Sequence, residues 1–61
     1  MASILNIISA AEEYGLALKT LKAAITAGEL KAIKVGRATL VERSDLETWL
    51  RRQRERAANE N

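Results

Sequence analysis

A chain of 61 residues allows one domain, with a core too small to be comfortably stable by burial alone and room for one site at most. It contains no cysteine and no histidine, which excludes a disulfide framework and a Cys/His zinc site and leaves nucleophilic and acid–base catalysis poorly supplied; no enzymatic activity, metal or other cofactor is expected. The net charge of +2 is unevenly spread: between Gly15 and Val41, Lys19, Lys22, Lys31, Lys34 and Arg37 stand against the single Glu29, and Arg51, Arg52, Arg54 and Arg56 gather near the C-terminus.

Ile7, Ala10, Ala11 and Tyr14 fall at i, i+3, i+4 and i+7, which predicts a two-turn helix with Asn6 as N-cap and Gly15 as stop. Ser9 with Glu12 three residues on has capping-box spacing and is a competing start one turn later. The pattern resumes with Leu18, Leu21, Ala24 and Ile25 and closes at Gly28, giving a second helix. Only about three residues separate the two, so the chain must turn a sharp corner, the signature of a helix-turn-helix.

In "KAIKV", Ile33 and Val35 share one face of a strand and Lys34 points the other way; "ATLV" then returns after Gly36 and Arg37. Gly36 can take the positive φ of a tight connection, so a hairpin with Arg37 at its tip is expected. Two strands alone are marginal, and the hairpin has to pack on the helices. Ser44 with Glu47 is the clearest capping box in the chain, and Asp45 adds negative charge where a helix start favours it. Leu46, Trp49 and Leu50 give the third helix its buried stripe, with Trp49 as core anchor. Past Leu50, the polar "RRQRERAANEN" is expected to fray, which divides the chain into a domain at 1–50 and a basic helical extension and tail at 51–61. No apolar run approaches the roughly 18 residues of a membrane span. "MASILNIIS" carries no basic residue ahead of its short apolar patch, so no signal peptide is expected and the chain reads as cytoplasmic.

The fold class expected is mainly α with a small β-hairpin: a winged helix-turn-helix, in the order helix, tight turn, helix, two-stranded wing, helix. In that plan the second helix enters the major groove of DNA. With Leu21, Ala24 and Ile25 turned inward, Lys19, Lys22, Ala23 and Thr26 face out, and two lysines there suit phosphates or a guanine edge. Lys34 joins them from the wing, and Arg37 at the tip has the reach and weak hydration to enter a narrow minor groove. Solvated helix faces and a solvated turn are the plainer alternatives.

From Asn6 to Leu50 the chain resembles the excisionase-type, MerR-like DNA-binding domain, most specifically in "AGELKAIKVGR" and "RSDLETWL" at the correct separation. The resemblance implies recognition-helix contacts at Ala17, Leu18, Lys19, Thr20, Lys22 and Ala23 and a wing contact at Arg37. Three positions depart from the family pattern. Ala17 replaces the usual cap serine, losing a phosphate hydrogen bond. Leu18 stands where a basic residue is common, either reading a thymine methyl or covering the turn. Leu40 occupies a wing position that is usually polar or basic; it is a subunit contact if it faces outward, or a core residue if the strand register shifts.

The resemblance further implies a recombination directionality factor of a phage or integrative element, which binds tandem sites cooperatively, bends DNA and turns an integrase from insertion to excision. A stand-alone chain without the long dimerisation helix of MerR regulators and without an effector domain would be expected in that role. The protein is then expected to be a monomer in free solution that binds side by side on direct repeats, with Leu40, Arg51, Arg52 and Arg54 as candidate protomer or integrase contacts. The expected partners are double-stranded DNA, further copies of the chain and an integrase, with no membrane and no small-molecule ligand. A small transcriptional regulator that occludes a promoter would use the same residues. A third reading makes the basic end a docking segment of an adaptor, packaging or antitoxin component. DNA binding in the first two should weaken steeply with salt, with a slope of about 0.9 per neutralised phosphate.

Overall fold

In the computed structural model, which describes residues 3–59, Asn6 ends one element and begins the next. It closes strand β1 (Ile4–Asn6) and caps helix α1 (Ile7–Tyr14), its Oδ1 accepting a 2.9 Å hydrogen bond from the Ile8 N–H. This resolves the two possible starts in favour of Asn6 over Ser9. At the other end Gly15 takes φ +66°, and the N–H groups of Gly15 and Leu16 return to the carbonyls of Glu12 and Ala11, a Schellman closure that a residue with a Cβ would strain. Leu16 and Ala17 then lead into helix α2 (Leu18–Thr26), so the corner has the predicted length. α2 closes the same way, with Gly28 left-handed and the Glu29 N–H on the Ala24 carbonyl at 2.9 Å.

Strands β2 (Ile33–Val35) and β3 (Ala38–Glu42) form the hairpin around the two-residue turn Gly36-Arg37. Positive φ at Gly36 alone, the first turn residue, is the type II′ pattern that matches strand twist. The wing is not a free two-stranded ribbon, however. β1 pairs antiparallel with β3, giving a three-stranded sheet in the order β1-β3-β2. The added strand gives the hairpin the further partner that a two-stranded ribbon needs to be stable.

The sheet packs by alternation. Val41 is buried and its partner Leu5 is packed against the core, so the face that holds Leu5, Val41, Thr39 and Lys34 is the inner one. Ile33 and Val35 therefore lie on the outer face, 53% and 57% exposed. The hairpin does pack on the helices, but through the face opposite to its most apolar strand residues. The core itself is Ile7, Ala10 and Ala11 of α1, Leu21 and Ala24 of α2, Leu30, Val41, and Leu46 and Trp49 of helix α3 (Arg43–Asn59). Ala10 and Ala11 let α1 approach its neighbours closely.

One expectation about α3 needs correction. Its first residue is Arg43 rather than one after Ser44, so the Ser44–Glu47 capping box does not form. The start is set by longer-range bonds: the Arg43 N–H donates to the Ser3 carbonyl at 2.7 Å, and the Arg43 guanidinium pairs with Glu13 and donates to the Tyr14 hydroxyl at 2.9 Å. Tyr14 in turn donates to Glu47 at 2.8 Å, which takes the carboxylate the box would have used. Beyond Leu50 the helix runs on to Asn59, with Asp45 in its first turn and Arg56 in its last, both suited to the helix dipole. The end of the predicted tail, residues 60–61, lies outside the described residues. No helix among the described residues is long and apolar enough to cross a membrane.

Candidate nucleic-acid interface

On α2, Leu21 and Ala24 are buried and Ile25 is half-buried, which leaves Lys19, Thr20, Lys22, Ala23 and Thr26 exposed along the opposite side. The inward and outward sets are those the periodicity predicts. Ala17 is the N-cap in extended conformation and makes no side-chain cap bond. The first turn of α2 thus carries the positive end of a helix dipole with no side-chain acceptor, beside Lys19.

The hairpin register puts the wing residues opposite this helix. Because the turn pairs Val35 with Ala38, Lys34 falls directly across from Thr39, and both are on the inner face of the sheet. That face continues beyond the core as one wall of an open groove of about 570 Å³. Leu18, Lys22, Ile25 and Thr26 of α2 form the other wall, and Asn6, Ile7 and Ile8 lie at its end, where β1 meets α1. Gly36 and Arg37 stand at the groove's edge, on the tip of the wing. No acidic residue lines it. The one ion pair among the described residues is Arg43–Glu13, so Lys22, Lys34 and Arg37 carry charge that no carboxylate compensates.

This arrangement suits a polyanion better than a small ligand. Its floor is apolar, through Ile7, Ile8, Leu18 and Ile25, while its rims carry ammonium, guanidinium and hydroxyl groups. One strand of a nucleic-acid backbone lying in the groove would meet Lys22 and Thr26 from one side and Lys34, Thr39 and Arg37 from the other.

The groove brings together only some of the predicted site residues. Leu18, Lys22, Lys34 and Arg37 line it, whereas Ala17, Lys19, Thr20 and Ala23 occupy the start and outer side of the same helix. Leu18 is half-buried against the core and also part of the groove, so it covers the turn and still presents carbon to a ligand. Leu40 is on the outer sheet face between Ile33 and Asn6, outside the groove. Arg51, Arg52 and Arg54 are exposed on the extension of α3 and take no part in it either. Thr26 and Thr39 are groove residues not named among the candidate contacts. The signal for Thr39 was present in the turn, since a two-residue Gly-Arg connection fixes Lys34 opposite Thr39.

A second polar cluster lies apart from the groove. The Arg43 guanidinium sits 5.9 Å from the Tyr14 ring centroid while bonding Glu13 and the Tyr14 hydroxyl. The hydrogen bond from Arg43 holds the Glu13 carboxyl below its ordinary range. Loss of hydration, reinforced by the bond to Glu47, pushes the Tyr14 phenol up. None of these four residues lines the groove, and the cluster clamps the end of α1 to the start of α3.

No curated protein and no solved structure matches the chain. A family model described as a helix-turn-helix domain does match, over residues 4–54, which takes in the sheet, the corner, the groove and α3 as far as Arg54. The chain belongs to this family of helix-turn-helix domains, which bind double-stranded DNA.

Proposed function

We propose that the protein is an architectural DNA-binding factor of the excisionase type: several copies fill neighbouring sites cooperatively, bend the DNA and direct an integrase toward excision, with no catalysis of their own. The observation that carries the DNA-contact part is the acid-free groove between α2 and the wing, with Lys22 on one wall, Lys34 on the other and Arg37 at the tip. α2 enters the major groove with Lys19, Thr20, Lys22 and Ala23 toward the bases, and Arg37 enters the adjoining minor groove. A domain of this size buries only about 600 to 1,000 Å² on DNA, too little for tight and specific binding alone, which is why copies must cooperate.

A small transcriptional regulator is the second reading. It is favoured by the apolar outer face of the sheet, whose one charge is Glu42 and which can pair copies symmetrically on an operator. The test is footprinting across the attachment region and promoters of the protein's own element, followed by gel shifts on DNA with one, two and three sites and an excision assay with the integrase. Cooperative filling, a bend that grows with occupancy and stimulated excision are expected. Independent filling of promoter sites without effect on excision would replace this reading with the regulator.

A further inference from the structure

We infer that the floor of the groove is a deoxyribose subsite, with Ile8 as its exposed part, which admits a DNA strand and penalises a ribose at the same position. The inference rests on the DNA-binding part of the proposed function and adds to it the sugar that the groove selects.

The placement of the strand follows from the two ends of the contact. With α2 in the major groove and Arg37 in the adjoining minor groove, what lies between them is the sugar-phosphate strand that separates the two DNA grooves. The space between α2 and the wing is the protein groove itself, so the strand runs along it. Its phosphates find cations on both walls, Lys22 on one side and Lys34 with Arg37 on the other. The sugars between those phosphates are left to the floor.

That floor is carbon. Ile7 is buried in the core, and Leu18 and Ile25 are half-buried against it, so all three are held in place. Ile8 differs from them: it is 57% exposed on the first turn of α1 and belongs neither to the core nor to the residues packed on it. Its side chain lines the groove instead. At the same end of the groove, the Oδ1 of Asn6 is occupied by the Ile8 N–H at 2.9 Å. Thr26 and Thr39 belong to the walls with the lysines, Thr39 directly across from Lys34.

A deoxyribose presents a methylene at its 2′ position, and covering that carbon with Ile8, Leu18 and Ile25 is favourable. A ribose puts a hydroxyl there. The hydroxyl gives up its water and finds no partner on the floor, which corresponds to a loss of about tenfold in affinity. Fully double-stranded RNA is shut out at an earlier step, because its narrow major groove does not admit α2. The subsite therefore shows itself on a single ribonucleotide set into B-form DNA.

The test is a gel-shift series on a single-site DNA duplex taken from the footprint, with one ribonucleotide moved through both strands position by position. Affinity should fall by about tenfold at one or two adjacent positions and little elsewhere. A 2′-fluoro nucleotide at those positions brings the RNA-like sugar pucker without the hydroxyl, and should cost far less. Ile8→Thr keeps a β-branched side chain at an exposed position and puts a hydroxyl on the floor. In this variant the ratio of all-deoxy to ribose-substituted affinity should shrink toward one. An even response to ribose across the whole site overturns the inference. A 2′-fluoro loss as large as the ribose loss also overturns it, by making pucker the cause, and so does an unchanged ratio in Ile8→Thr. If the all-deoxy duplex itself is not bound, the DNA-binding reading falls and the subsite with it.

Discussion

Lys34 and Thr39 are direct cross-strand partners on the groove side of the wing, while Arg37, three residues beyond Lys34, stands at its tip. The two cations should therefore do different work on DNA. Lys34→Ala should weaken binding uniformly across sequences and lower the salt slope by about one unit, as loss of a phosphate contact does. Arg37→Ala should cost about 1 to 3 kcal/mol, mostly on sites with an A/T-rich segment beneath the wing, where the minor groove is narrow. Gel shifts on paired A/T-rich and G/C-rich flanks distinguish the two; an equal small loss from Arg37→Ala on both makes it a generic phosphate contact.

Replacing Lys19 and Lys22 together with alanine should lower the salt slope by about one to two units and leave the thermal midpoint nearly unchanged, because both side chains are exposed. Unaltered affinity would remove α2 from the interface.

The parts of this site that were legible in the sequence are those set by local rules. Helical periodicity separated Leu21 and Ala24 from Lys19 and Lys22, and the Gly36-Arg37 turn fixed the hairpin. The parts that were not legible depend on contacts distant in sequence. Strand β1 is three residues long and runs straight into a helix, too short to show alternation, and exists because β3 offers it an edge. The start of α3 follows Arg43 to Ser3, Glu13 and Tyr14 rather than the local Ser44–Glu47 pattern. The groove itself required knowing which face of the sheet turned toward α2. Alternation in β2 separated Ile33 and Val35 from Lys34 without saying which side turned in: Ile33 and Val35 look outward and Lys34 looks toward the groove.

The Arg43–Glu13 pair predicts an acid-sensitive component of stability. The folded state lowers the Glu13 pKa from its ordinary value of 4.5, through the hydrogen bond from Arg43 first. Its contribution is thus fully present above that value and is lost as pH falls through the lower folded one. Tyr14 works in the opposite sense: its raised pKa contributes below the ordinary value of 10.0 and is lost as pH rises through the folded one. Thermal melts of the wild type and Glu13→Gln should converge as pH drops below 4.5, and should also converge in high salt, because the pair is partly solvated. A constant gap between the two proteins at every pH would remove this clamp from the acid response.

Trp49 is 5% exposed, and its Nε1 has no hydrogen-bond partner among the described residues. Trp49→Ala should cost about 3 to 5 kcal/mol, close to the entire stability of a small domain. Trp49→Phe should cost much less, since it keeps an aromatic ring in the core and removes a buried donor that bonds nothing. Denaturant unfolding of the two variants checks this; a folded Trp49→Ala with selective loss of DNA binding would contradict the core assignment.

The last prediction concerns α3 beyond Leu50, a solvated helix on which Arg51, Arg52, Arg54 and Arg56 are exposed and only Gln53 is half-buried. Alanine at all four arginines should leave the helix's stability nearly unchanged. The better helix propensity of alanine and relief of the like charges Arg52 and Arg56 offset the loss of Arg56 at the helix end and of the Glu47–Arg51 and Arg51–Glu55 spacings. None of the four lines the groove, so single-site DNA affinity should fall far less than with the Lys19 and Lys22 pair. Excision with the integrase is where the change should appear: if this helix is the docking segment, the quadruple variant fills its sites, bends the DNA and no longer supports excision. A drop in single-site salt slope as large as that of the lysine pair would instead make the helix end a DNA contact. Full excision by the variant would leave the integrase to be recruited by the bent DNA alone.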